Sequence, residues 1–162
     1  MKTLLVLRHA KSSWDHSELS DHDRPLSRRG NRAAPRMGRL LVEQGLVPDL
    51  ILSSTAERAR TTAELVADEC APPPPIDYLP SLYGADPQTY LEAASDSGDD
   101  LERVMVVGHN PGIESLVALL TGSYERMPTA ALACIELQVE NWENAVDAKG
   151  RLAGLWRPKE LG

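Results

Sequence analysis

The chain has 162 residues, 42% of them hydrophobic, and a formal net charge of -7. That length suits one domain, since domains commonly run to roughly 100–200 residues, and a single domain over residues 1–162 is expected. The composition excludes a disordered chain, and the acidic balance argues against nucleic acid as a partner, because phosphate backbones attract basic surfaces. There is no Phe, so the core must be built from Leu, Val, Ala and Ile with a few Trp and Tyr.

Taken in order, Thr3–Leu7 is apolar and suits a buried parallel strand. The apolar run of MKTLLVL is cut by Arg8, short of the roughly 7–15 residues of a secretory h-region. No stretch approaches the roughly 18 apolar residues of a membrane span, so a cytoplasmic protein with no membrane partner is expected. Ala33, Ala34, Met37, Leu40 and Leu41 recur at helical spacing between Ser27 and Glu43, with Arg28, Arg32, Arg36 and Arg39 on the other side. These arginines, with Arg29, read as a solvated helix face. Pro35 interrupts the pattern and predicts a kink or a later helix start.

Leu50–Leu52 follows as a short strand, and Ser54-x-x-Glu57 has the form of a capping box opening a helix faced by Ala59, Thr62, Ala63 and Val66. After the stiff run Pro72 to Pro75, Ile76–Leu79 is a strand and Pro87–Ala94 a helix. Val104–Val107 is a strongly apolar strand, and Pro111 fits the first position of a helix reaching about Leu120. Leu132–Val139 is a final strand, with a hairpin between Trp142 and Gly154. Strands alternating with helices predict an α/β protein, a three-layer α/β/α sandwich around a mostly parallel central sheet. Cys70 and Cys134 are far apart and lack metal-ligand spacing, so both are expected as buried thiols.

Two of the strands end in histidine: LLVLRHA carries Arg8 and His9, and VMVVGHN carries His109. In open α/β sheets ligands bind outside the carboxyl ends of strands, so neighbouring strands would bring the two imidazoles to one crevice. Arg58 lies in the first turn after a third strand. Each of these residues alone would read as a loop histidine or an ion-paired arginine. Together, two imidazoles and two guanidinium groups at one sheet end point to a phosphate site.

RHAKSSWD resembles the RHG signature of the histidine phosphatase superfamily, whose form in phosphoglycerate mutases is RHGESxWN. DHDRPLSRRGNRAA resembles its D-x-PLT-x-x-G-x-x-x-A segment, SSTAERARTTAE its S-S-x-x-x-R-A-x-x-T-A segment, and VVGHNPGIESL the segment with its second histidine. The short length, LPSLYGAD and MPTAALA are most similar to the small phosphohistidine phosphatase branch (SixA-like). The resemblance implies a phosphoglycerate mutase-like fold. It also implies a phosphatase reaction in which His9 is phosphorylated, Arg8 and Arg58 bind the phosphoryl oxygens and His109 assists. It implies no cofactor and no metal. Two positions depart from the pattern: Ala10 stands where the family has Gly, and Asp15 where it has a phosphate-binding Asn. Ser12 is a further candidate hydrogen-bond donor to substrate.

Mutases and acid phosphatases of the superfamily supply a general acid, for which the corresponding region offers Asp86. Asp86 can equally be the N-cap of the helix after Pro87. Because imidazole is a good leaving group, with a conjugate acid of pKa ~6.5, the thin supply of acids favours protein phosphohistidine as substrate, with inorganic phosphate as product. The alternatives are a phosphomonoesterase or mutase-like enzyme acting on a small phosphorylated metabolite, and a non-catalytic phosphate-binding module. A metal site built on His16, His22 and the nearby carboxylates of DHSELSDHD is a further rival, although the segment lacks regular ligand spacing. Nothing in the sequence demands a dimer, so a monomer is expected.

Overall fold

The computed structural model describes residues 1–161, so the last residue of the expected 1–162 domain lies outside the described residues. Among the described residues, six strands form one sheet: β1 (Lys2–Arg8), β2 (Leu50–Ser54), β3 (Ile76–Leu79), β4 (Arg103–Gly108), β5 (Leu132–Leu137) and β6 (Gly150–Trp156). Their spatial order is β3-β2-β4-β1-β5-β6. The first four are mutually parallel, while β5 and β6 add antiparallel at one edge. The helices are α1 (Arg28–Glu43), α2 (Glu57–Asp68), α3 (Pro87–Ser95) and α4 (Gly112–Thr121).

The layers follow from strand periodicity. Along β1, Leu4 and Val6 enter one core with Val104 and Val106 of β4 and with α3 and α4. Leu5 and Leu7 enter the other with Met105, Val107, α1 and α2. Successive side chains of a strand point to opposite faces, and with helices covering both faces the central strands can be apolar throughout. All of Leu4 to Leu7 and Val104 to Val107 are fully buried. Truncating one of these leucines to Ala would cost about 2–5 kcal/mol. Neighbouring β1 and β4 therefore form a rigid floor, with Leu7 opposite Val107 and Arg8 opposite Gly108.

Several local expectations are corrected. α1 runs from Arg28 through Pro35 without a later start, its N-terminus capped by Ser27 Oγ, which accepts from the Gly30 amide at 3.1 Å. The Ser54-x-x-Glu57 capping box does not form, because the helix begins at Glu57 itself and its N-cap is Ala56, without a side-chain cap. Pro111 is the residue before α4 rather than its first position, a difference within ordinary fraying. The expected hairpin from Trp142 to Gly154 is instead a 3₁₀ turn over Trp142–Asp147 followed by β6. The cause is Trp142: its ring is fully buried and its indole N–H donates to the Leu101 carbonyl at 2.7 Å, which draws the segment down onto the core. Both cysteines are free and buried. No helix among the described residues is long and apolar enough to cross a membrane.

Candidate active site

The carboxyl ends of β1, β2 and β4 bring His9, His109 and Arg58 together. The His9 and His109 ring centroids lie 5.1 Å apart, and His9, Arg58 and His109 are each buried. The His9 Nδ1 lies 2.7 Å from its neighbour's carbonyl, Ala10 O. A carbonyl oxygen can only accept, so Nδ1 carries the proton and Nε2 presents its lone pair. Burial pulls the His9 pKa down to about 3; the Ala10 carbonyl opposes this, and His109, Arg58 and Arg8 reinforce it. Burial likewise lowers His109 to about 4, with Arg58 adding and Asp21 opposing. Both imidazoles are neutral near pH 7.

The loop after β1 is braced from behind. The Ala10 amide donates to Thr62 Oγ1 of α2 at 3.0 Å. Gly30 packs so closely that a Cβ there would lie 2.1 Å from the Lys11 carbonyl oxygen. Ala10 itself is fully buried and has no positive φ, so the missing family Gly is accommodated without strain. The segment Met127–Ala131 latches the other side: Arg8 donates through Nη1 to the Met127 carbonyl at 3.2 Å, and the Ala130 amide reaches the carbonyls of Arg8 and His9 at 3.1 and 3.0 Å. Ala130 is the one non-glycine residue at positive φ among the described residues, 63°, a conformation that costs about 1–2 kcal/mol.

Arg58 is held by Asp21, donating to its carbonyl at 2.7 Å and to its Oδ2 at 2.9 Å. Asp21 also accepts from the Tyr83 hydroxyl at 2.5 Å and from Arg24 Nε at 3.2 Å. The Tyr83 hydroxyl, then Arg58 and Arg24, hold its carboxyl well below the usual carboxylate range. The Tyr83 ring stands edge-on to both His22, at 4.9 Å, and His109, at 5.5 Å. Ser54 Oγ lies 2.8 Å from His109 Nε2 while accepting from the Ala56 amide. On the far side, the His109 amide donates to Tyr90 Oη, and a Cβ on Gly108 would meet that oxygen at 2.0 Å.

Among the described residues, two buried side-chain polar atoms lack a hydrogen-bond partner, and both are here: Arg8 Nε and His109 Nδ1. A buried polar atom left unmatched costs about 1–3 kcal/mol and calls for an explanation; for the Arg8 Nε donor, a bound anion would supply the acceptor. A neutral imidazole with an Nε2 lone pair, beside two guanidinium groups and a second imidazole, can attack and hold an anionic tetrahedral centre.

The remaining sequence candidates fare differently. Ser12 is buried, but its hydroxyl accepts from Arg24 Nη1 at 2.8 Å, so it braces the loop. Asp15 is exposed and lines a groove with Lys11, Arg28 and Arg32 rather than joining the histidines. Asp86 is the N-cap of α3, accepting from the Thr89 amide at 2.9 Å and hydroxyl at 2.8 Å, and these bonds lower its pKa. It borders a cavity of about 260 Å³ that His109 also lines. No group of three or more His, Cys, Asp or Glu among the described residues could hold a metal ion. His22, of the metal rival, instead pairs with Thr55 Oγ1 at 2.9 Å.

The model of the histidine phosphatase superfamily (branch 1) matches residues 4–85, which contain His9 and Arg58. The chain belongs to the histidine phosphatase superfamily. Its histidine phosphatase fold, of the phosphoglycerate mutase-like type, superposes on a protein histidine phosphatase SixA complexed with tungstate. That likeness has a TM-score of 0.82, 26% identity and 99% coverage of both chains. A candidate SixA phosphohistidine phosphatase from Nakamurella multipartitia matches with TM-score 0.85 and 26% identity, over 97% of this chain and 96% of that one. An uncharacterised chloroplastic protein of Arabidopsis thaliana is 34% identical over 97% of this chain and 78% of its own length. A 2,3-bisphosphoglycerate-dependent phosphoglycerate mutase of Thermobifida fusca is 41% identical, but over only 43% of this chain and 29% of its own.

Proposed function

We propose that this histidine phosphatase removes phosphoryl groups from protein phosphohistidine. His9 Nε2 attacks phosphorus as the bond to the substrate imidazole breaks. The departing nitrogen takes the electron pair and is protonated by solvent. Water then attacks the phosphoryl group on His9, the P–N bond to His9 breaks, and inorganic phosphate leaves. Arg8, Arg58 and His109 stabilise the charge on the equatorial oxygens, so positioning and electrostatics carry most of the catalysis. If the Ser54 hydroxyl donates to His109 Nε2, the proton of neutral His109 resides on Nδ1, as a hydrogen-bond donor to phosphoryl oxygen.

One observation carries the choice of substrate: the carboxyl groups beside the site are taken up as hydrogen-bond acceptors, and those of Asp21 and Asp86 are held below the usual carboxylate range. Asp86 is spent on Thr89, Asp21 on Arg58, Tyr83 and Arg24, and Glu114, whose charge acts on Arg8, accepts from the Met127 amide and the Tyr124 hydroxyl. A carboxyl held below its ordinary pKa is a poor proton donor at neutral pH, which suits a leaving group that needs little protonation. The whole-length likeness to SixA supports the same reading over a mutase.

The test compares wild type with His9→Ala on a phosphohistidine peptide and on several phosphomonoesters. The reading expects rapid, His9-dependent release of phosphate from the peptide and slow release from the esters. Faster cleavage of sugar phosphates would instead favour a metabolite phosphomonoesterase using the cavity beside Asp86.

A further inference from the structure

A groove of about 780 Å³ runs beside the site, lined by Lys11, Arg28, Arg29 and Arg32, with Asp15 as its carboxylate. The basic face continues past it: Arg29 and Lys159 border a second hollow, and Lys11, Arg126 and Lys159 meet in a notch between them. All six cationic side chains are exposed, in a chain whose formal net charge is -7. Elsewhere on the surface, Arg39, Arg60, Arg151 and Arg157 each pair with a glutamate. Among the described residues, Lys11, Arg28, Arg29, Arg32 and Lys159 enter no ion pair. Asp15 is the one carboxylate lining the groove against four cations, and such an excess of like charge on one face of an acidic protein favours an external anion.

The cluster's position says which kind. Lys11 follows His9 by two residues, and Arg126 precedes Met127, whose carbonyl accepts from Arg8. The basic face therefore starts at the lip of the phosphoryl pocket and leads away from it. It spreads across the loops carrying Lys11 and Arg126, the C-terminal turn carrying Lys159 and the first turns of α1, more cations than one phosphate needs. Trp14 stands beside the groove, 72% exposed, with the Arg24 guanidinium 3.6 Å from its ring centroid. An exposed Trp pinned by an arginine, next in sequence to the groove-lining Ser13 and Asp15, suits a protein-binding patch.

We propose that this face docks an acidic surface of the protein that carries the phosphohistidine, and so selects substrates by the charge around the modified residue. The inference rests on the phosphohistidine reading above. Charge complementarity of this kind raises association rates and is screened by salt.

The experiment uses two synthetic phosphohistidine peptides of equal length, one flanked by glutamates and one by lysines, with free phosphohistidine as the small probe. Wild type is expected to favour the acidic peptide by about 10-fold or more in kcat/KM at low salt, a preference that shrinks at about 300 mM salt. The double variant Arg29→Glu/Arg32→Glu is expected to lose or invert that preference while hydrolysing free phosphohistidine as wild type does. Both positions are exposed and lie in the first turns of α1, where acidic residues suit the helix dipole, so the variant should keep its far-UV CD spectrum and Tm. Equal rates on the two wild-type peptides would overturn the docking surface alone. An equal loss on peptides and free phosphohistidine would also overturn it, because the arginines would then serve the phosphoryl pocket. If no phosphohistidine probe is cleaved while a phosphomonoester is, the functional reading fails and takes the docking surface with it.

Discussion

Acidification should destabilise the protein in a way that can be assigned to its two site histidines. An unperturbed imidazole titrates near ~6.5, whereas burial holds His9 at about 3 and His109 at about 4. Between these values the unfolded chain binds protons that the folded protein refuses, so stability falls as pH drops below the unfolded pKa. The loss levels off only below the folded values. At ~1.4 kcal/mol per pH unit for each group, going from pH 7 to pH 5 removes about 2 kcal/mol per histidine and about 4 kcal/mol for the pair. Carboxylates contribute little in this window, since their unfolded values lie near ~4. Urea denaturation of wild type at the two pH values should show the full difference, and His9→Gln should show about half of it. A wild-type stability that stays level between them, or a pH difference unaltered in His9→Gln, would refute the account of neutral, desolvated imidazoles.

Ser54→Ala removes the partner of His109 Nε2; kcat should fall by up to ~10²-fold, as for loss of one aligned donor, with Ser54→Thr restoring part of it and Tm little changed. Steady-state assays with the three proteins decide this, and an unchanged kcat in Ser54→Ala would contradict it. Asp86→Asn should alter turnover of a phosphohistidine peptide by far less than the ~10²–10⁴ that a general acid supplies. Because the Asn side chain can still cap α3, a large loss of kcat in that variant would place Asp86 in the chemistry.

The parts of the molecule legible in the sequence are those governed by local pattern. Leu4 to Leu7 and Val104 to Val107 are continuous apolar runs, and such runs belong in a sheet covered on both faces. Since the two strands are neighbours, Arg8, His9 and His109 emerge together at their carboxyl ends, as the strand-end rule anticipates. What escaped depends on contacts between distant segments. Asp21 reaches Arg58 across 37 positions and Tyr83 across 62, and nothing local to DHD distinguishes an arginine clamp from a metal ligand. Ser54 differs for another reason: its spacing to Glu57 fits a capping box, yet the helix starts later and the hydroxyl serves His109. Asp15 aligns by motif register with the family's phosphate-binding Asn, while the loop turns its exposed side chain toward the basic groove. The left-handed turn at Ala130, which ties β5 to the Arg8-His9 backbone, carries no glycine to announce it.

The central claim is that His9 carries the phosphoryl group during turnover. Rapid quenching of wild type with a ³²P-labelled phosphohistidine peptide, followed by peptide mapping, tests it directly. Acid-labile, base-stable label should be found on the peptide containing His9, absent from His9→Ala, and chased by unlabelled substrate at the rate of turnover. Label on another residue, or full turnover by His9→Ala, would contradict the account.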